Sequence, residues 1–365
     1  MLRFALNDKK KMKKNRIVLL VVLILAIVAI VLFFSRSDTT FQSSMSDFAV
    51  ADTASVTKIF MSDKNNNMVT LTRQATGSWK VNDKYMASKF NLDMLLQTMY
   101  NLAVKEPVPL AAHDNVIREL AVNSVKVEIY QEVYRINLFN TIKWFPHEKL
   151  TKVFYVGGAT QSNRGSYMLM EDSSTPFVIF IPGFRGFVSP RFTPMVNAWR
   201  DYTIFKKELP QIASVKVEIP VKENESYVIT NNQNSSVSLY SIPEMQLIPA
   251  FDTLAALNFL TGFRNLNFEG VLSDMDAAKK DSILASTPFT IITLTDSAGV
   301  SKTIKTFFKD GGGDSDMNGN EIAYDLDRFY ALVNDGEDFV LVQYFAFDRV
   351  LRPRSFFLKD PSLIN

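Results

Sequence analysis

The sequence has no cysteine and only two histidines, His113 and His147. Disulfide scaffolds, thiolate zinc sites, haem attachment and cysteine nucleophiles are therefore excluded, and so is a multi-histidine metal centre. There is no GxxxxGKS or GxxxxGKT phosphate loop, no GxGxxG opening a helix and no GxSxG nucleophile elbow. No charge of one sign prevails either, with 40 basic against 38 acidic residues in 365. With 47% apolar and 21% charged residues, the chain is neither collagen-like, nor a long disordered tail, nor a multi-span transporter. Its length predicts about two domains.

What is present begins with a hydrophobic run. Residues 17–34 read IVLLVVLILAIVAIVLFF, without charge, Gly or Pro. At 1.5 Å per residue a helix of this length spans about 27 Å, close to the hydrocarbon thickness of a bilayer. A core helix normally keeps a polar stripe, and this run has none. A signal peptide has a shorter apolar core and a nearby small-x-small cleavage site. Here Ser35-Arg36-Ser37-Asp38 follows, and Ala49-Val50-Ala51 lies too far downstream. The expectation is an uncleaved transmembrane helix over 17–34 that places the chain in the bilayer. The basic tail 1–16 carries Arg3, Lys9, Lys10, Lys11, Lys13, Lys14 and Arg16 against Asp8 alone, a net +6. The positive-inside rule leaves that end in the cytoplasm. The remaining chain then lies outside the cytoplasm, periplasmic where there are two membranes, with a net −4. Such an acidic body argues against nucleic acid as a partner.

Residues 35–47 read as a polar, flexible tether. Beyond it the chain repeats at a spacing of about 160 residues. GSWKV (77–81) takes the place of SVSLY (236–240), and 90–104 the place of 251–266. VKVEIYQ (125–131) takes the place of FTIITLT (289–295), and FYVGG (154–158) that of FFKDGG (307–312). YMLMEDSSTPFVIFI (167–181) takes the place of YALVNDGEDFVLVQY (330–344), and Ser189-Pro190-Arg191 that of Arg352-Pro353-Arg354. This predicts repeats over 48–196 and 211–358, a linker over 197–210 and a C-terminal tail over 359–365. In each repeat, strands with alternating apolar residues precede a helix: Val56, Ile59, Met61, Val69 and Leu71 in the first, Val215, Val217, Ile219 and Val228 in the second. Leu92, Leu95, Leu96, Met99 and Ala103 mark one helical face behind an N-cap Ser88. Asp252 caps the second helix, with Leu254, Leu257 and Thr261 along one side. Shorter helices are expected around 114–120 and 274–284. Strands dominate without strict βα alternation, so the expected fold class is α+β: two tandem repeats of mainly antiparallel sheet with packed helices. Trp199, in the linker, is expected to pack into a seam between the repeats.

The order of anchor, tether, GSWKV strand, amphipathic helix, WRDYTIF linker (199–205) and DLDRFYALVNDGEDFVLVQYFAFDRVLRP ending (325–353) resembles an uncharacterised family of bacterial envelope proteins. These are single-span, tandem-repeat proteins with a domain of unknown function. The resemblance covers about residues 50–358. It implies association with ABC-type transport systems that have gliding-type auxiliary components. It supplies no catalytic residues.

No catalytic, cofactor-binding or metal-ligating residue is assigned. His113 stands beside Asp114 at a helix start, and His147 follows Trp144-Phe145-Pro146 in an expected loop. Asp314-x-Asp316-x-Asn318-Gly319 fits the first half of a calcium loop. Its twelfth position is Asp325 rather than Glu, and the competing reading is a polar hairpin tip. The loop Phe180-Ile181-Pro182-Gly183-Phe184-Arg185-Gly186-Phe187 combines aromatic and Arg residues of the kind enriched at interfaces. The leading expectation is a non-enzymatic, membrane-anchored accessory protein that binds an envelope partner beside an ABC-type transporter, without a cofactor. The alternatives are an envelope carbohydrate or peptidoglycan hydrolase, which needs a carboxylate of raised pKa, and a small-molecule or glycan binding module using a cleft between repeats.

Overall fold

The alternating segments become strands of two antiparallel sheets. The computed structural model describes residues 18–28, 47–138, 141–232, 236–313 and 322–358. The chain divides into a first unit, Met1–Asp201, and a second, Tyr202–Asn365.

The first unit contains β1 (Val56–Ser62), β2 (Met68–Arg73), β3 (Trp79–Val81), β4 (Tyr85–Met86), α1 (Lys89–Asn101), β5 (Ala103–Pro107), α2 (Leu110–Asn123), β6 (Val125–Leu138), β7 (Ile142–Ala159), β8 (Ser166–Met170) and β9 (Phe177–Phe180). Its nine strands lie in the order β4-β3-β2-β1-β6-β7-β8-β9-β5. The strand period of two sends Ile59, Met61, Leu71, Val127, Ile129 and Phe154 to one face. There they meet Leu92, Leu95 and Met99 of α1, whose first turn is capped by Ser88 Oγ accepting from the Asn91 N–H at 3.4 Å. Val178 and Ile179 are neighbours in β9 and point to opposite faces. Ile179 joins the α1 core, whereas Val178 packs with Val116 and Leu120 of α2. The two helices therefore cover opposite faces of one sheet.

The second unit contains β10 (Thr203–Phe205), β11 (Ile212–Glu218), β12 (Tyr227–Asn231), β13 (Val237–Ser241), β14 (Leu247–Ile248), α3 (Thr253–Thr261), β15 (Leu266–Asn267), β16 (Gly270–Val271), α4 (Ala277–Ala285), β17 (Thr290–Asp296), β18 (Ser301–Asp310), β19 (Tyr324–Val333), β20 (Asp338–Gln343) and α5 (Tyr344–Phe347). The large sheet runs β14-β13-β12-β11-β17-β18-β19-β20-β16, and β10 pairs with β15 alone. Numbered in chain order within each large sheet, the strands of both units follow one sequence: 4-3-2-1-6-7-8-9-5. The segments matched in the sequence fall on equivalent elements, among them β3 with β13, β6 with β17, and β8 and β9 with β19 and β20. Two-face coverage recurs as well. Val340 and Val342 join the core containing Phe259 and Leu260 of α3, whereas Phe339 and Leu341 pack with Ile283 and Leu284 of α4.

Several local expectations change. Leu254 is exposed, and α3 buries Ala256, Phe259 and Leu260 instead. This nine-residue helix is apolar around much of its circumference, so spacing alone does not select the stripe that faces the sheet. In the first unit Thr98 is buried on α1, and Ala103 has already entered β5. The segment 197–210 is built into both units. Trp199 is buried in the core of the first unit and donates from Nε1 to Thr193 O at 2.8 Å. Ile204 and Phe205 belong to the second core. Trp199 is thus held by its own unit's core, because its indole N–H finds a backbone partner six residues upstream.

Of the run 17–34, residues 18–28 are described, and they are α-helical. Every large apolar side chain among them is between 46% and 71% exposed. Among the described residues no helix is long and apolar enough to cross a membrane. Residues 1–16, the rest of 17–34, most of the tether and the tail 359–365 lie outside the described residues.

Aromatic packing holds the second core together. Phe357 is fully buried, with its ring 5.1 Å from that of Tyr227 and 5.5 Å from that of Phe259. Phe357→Ala is expected to cost about 3–5 kcal/mol in chemical denaturation. Phe345→Ala, twelve residues earlier and 93% exposed, is expected to stay within about 0.5 kcal/mol of the parent. Equal effects for the two would contradict this core assignment.

Candidate functional site

The two sheets share one topology, so differences between them stand out, and the largest lies in the β6–β7 hairpin. In the second unit β17 ends at Asp296 and β18 begins at Ser301. In the first unit β1 pairs with β6 as far as Gln131, and β8 pairs with β7 only from Phe154 onward. From Glu132 to Glu148 the two strands pair only with each other, as in Glu132 with Glu148, Tyr134 with Pro146 and Ile136 with Trp144. They form a two-stranded ribbon that leaves the sheet. His147 therefore sits in a strand rather than a loop. The Pro146 ring is tolerated because each ribbon strand has one open edge that needs no donor.

A polar groove of about 750 Å³ opens at the base of this ribbon, lined among others by Asp52, Gln131, Arg135, Lys143, His147 and Lys149. Its two carboxylates are engaged. Asp52 accepts from the N–H groups of Ala54 and Ser55 at 3.1 and 3.2 Å. Glu132 accepts from the Tyr134 hydroxyl at 2.8 Å. Gln131 ties the floor together: its Nε2 donates to Asp52 O at 3.0 Å, and its Oε1 accepts from Thr151 at 2.6 Å. His147 Nδ1 is buried without a hydrogen-bond partner among the described residues. The exposed cations Arg135, Lys143 and Lys149 make the groove a donor-rich surface suited to anionic groups.

The second unit has a groove of about 500 Å³ beside α3, lined by Asp252, Asn258, Arg349, Arg352 and Phe356 among others. Asp252 caps α3 by accepting from the Ala255 N–H at 3.0 Å. Arg352 pairs with Asp348 at 2.5 Å. Asp252 and Arg352 are thus occupied in holding the fold.

The two histidines lie on different elements. His113 Nε2 lies 3.0 Å from Ser174 O, and its Nδ1 lies 3.2 Å from Asp114. These contacts, the backbone one foremost, raise its pKa and pin α2 to the loop before β9. Among the described residues no three His, Asp or Glu side chains gather as a metal site. Asp314, Asp316 and Asn318 lie outside the described residues. Asp325, at the twelfth position, is taken up by Lys309 at 2.6 Å and by the N–H groups of Asp327 and Arg328, each at 2.8 Å. The loop after β9 folds back on its own unit. Arg191 stacks 4.7 Å over the Phe184 ring and donates to Thr98 at 2.9 Å.

Among the described residues, the carboxylates with displaced pKa values all move down. Arg328 holds Glu269 low, Lys207 holds Asp296 low and Lys309 holds Asp325 low. Asp63 and Glu148 are also lowered, their hydrogen bonds outweighing burial. That is the direction of ion-pair partners and not of proton donors. The stabilisation from Asp325 is complete above its ordinary value of 3.8 and is lost as pH falls through the lower folded value. Asp325→Asn is expected to cost about 1 kcal/mol at neutral pH, the pair being partly solvent-screened. The gap from the parent should close as acid protonates Asp325. Urea melts across the acid range measure this, and a gap independent of pH would contradict it.

Residues 79–287 match the family described as Domain of unknown function (DUF4340). The match runs from β3 to just past α4 and crosses the boundary between the units. No curated protein and no solved structure matches the chain. Because the match covers more than half of its length, the chain belongs to the DUF4340 family.

Proposed function

We propose that this protein is a membrane-anchored accessory protein whose two-sheet body lies outside the cytoplasm and docks an envelope partner. The observation that carries this reading is the helix at 18–28. Its large apolar side chains are left uncovered by the other described residues, inside an 18-residue apolar run behind a +6 tail. A helix that is apolar all round and bare has its natural cover in lipid. The flanking charge supports a cytoplasmic N-terminus. The resemblance to envelope proteins associated with ABC-type transport supports a permease or its auxiliary components as the partner class. The engaged carboxylates of both grooves favour this reading over a hydrolase.

Crosslinking mass spectrometry on the full-length protein in its native membrane tests the docking. Reproducible crosslinks from exposed lysines of residues 47–358 to one membrane protein are expected. Crosslinks confined to the chain itself would overturn the accessory reading.

A further inference from the structure

The ribbon 132–148 has no counterpart in the second unit, and its composition differs from that of the rest of the body. Residues 133–147 read VYRINLFNTIKWFPH: two cations, no acid and eight large apolar or aromatic residues. Trp144 and Phe145 are 59% and 65% exposed, whereas Trp79 and Trp199 are almost fully buried. Phe145 has φ +58°, a conformation rare for a bulky side chain, and it breaks the extended run at the aromatic pair. Lys143 Nζ lies 5.4 Å from the Tyr134 ring centroid. Exposed aromatics beside cations are the composition of a protein surface that meets lipid headgroups.

We propose that this ribbon is a membrane-contact finger, seating Trp144 and Phe145 in the headgroup layer of an anionic bilayer. The charge pattern selects the occupant: Glu132 and Glu148 lie at the ribbon's base, and beyond them Arg135 and Lys143, with no acid among residues 133–147, complement anionic lipid. The backbone sets the depth. The outer edges of a lone two-stranded ribbon carry unpaired N–H and C=O groups, which headgroups and water satisfy and hydrocarbon does not. The finger therefore lies in the interface and does not cross it.

Chain continuity places the finger correctly. It belongs to the unit that directly follows the apolar run, and this part of the argument rests on the anchored reading above. Fully extended, residues 35–47 reach at most about 45 Å. The ribbon projects about 23 Å beyond Gln131, at the usual rise per strand residue. Its tip thus has the reach to touch the membrane that the tether leaves. Two points of attachment would fix the orientation of the first unit, which attachment through the N-terminal run alone leaves free.

The only exposed tryptophan among the three is Trp144, so the protein carries its own probe. The full-length chain is reconstituted into vesicles of phosphatidylcholine alone, or of phosphatidylcholine with phosphatidylglycerol, with and without brominated acyl chains. Subtracting the spectrum of Trp144→Phe isolates the ribbon. In the anionic vesicles Trp144 emission is expected to shift to the blue and to fall about twofold on bromination. Replacing Arg135 and Lys143 with Gln should weaken the anionic-lipid preference by about fivefold per cation. Trp144 emission that is indifferent to bromine in both compositions overturns the finger. Protection from acrylamide without bromine quenching also overturns it, and points to a protein surface or a second copy as the cover. Alkaline carbonate extraction reads the anchor separately. A chain that resists extraction with Trp144 unquenched refutes the finger alone, whereas an extractable chain refutes the anchored reading.

Discussion

Apolar surface that folding leaves bare has to be covered by something other than the fold. In this protein that constraint acts at two scales. Within each sheet, the strand period of two produces two faces, and helices cover apolar surface on both. At the N-terminus, residues 18–28 form a helix with no polar face to turn toward water, and among the described residues none covers it. Burying a single leucine is worth about 2 kcal/mol, so a row of bare ones is a large unmet demand. The proposed membrane attachment follows from that demand, and the position of the body follows from the attachment.

The common strand order of the two units makes the molecule its own control. Shared features are the requirements of the sheet: a capped helix on one face, a second helix on the other, and inward Val, Ile and Phe side chains. Ser88 and Asp252 perform the same capping at equivalent helices, although one is a hydroxyl and the other a carboxylate. Features found once are free of those requirements. The ribbon 132–148 is the largest of them, and it gathers exposed aromatics, cations and a buried imidazole nitrogen without a hydrogen-bond partner among the described residues. The charges elsewhere are mostly spent on structure, as in Asp325 with Lys309, Glu269 with Arg328 and Asp296 with Lys207.

Much of the architecture was legible in the chain because it rests on local periodicity. Val56, Ile59, Met61, Val69 and Leu71 alternate and are buried, and the two N-caps stand where their residue types place them. The α+β class and the correspondence of the two sheets rest on the same patterns. Three features were not legible, for different physical reasons. The buried stripe of α3 is set by tertiary packing, since Leu254 and Phe259 are equally apolar and only one meets the sheet. Trp199 takes its place from a backbone acceptor in its own unit, and spacing carries no trace of that bond. The ribbon was hidden because Pro146 and the polar residues around the tip read as a loop, while cross-strand pairing carries the strands through them. Its signal was present nonetheless, in fifteen residues with no acid and four aromatic rings.

The central claim is that the body lies across a membrane from the basic tail. The absence of cysteine makes this directly measurable, since any introduced thiol is the only one in the chain. Ser282→Cys, exposed on α4, and Asn15→Cys, in the basic tail, would each be treated with a membrane-impermeant maleimide in intact cells whose outer barrier is permeable to it. The account predicts labelling at position 282 in intact cells, and labelling at position 15 only after the membrane is opened. Labelling at position 15 in intact cells, or protection of position 282 until lysis, would contradict it.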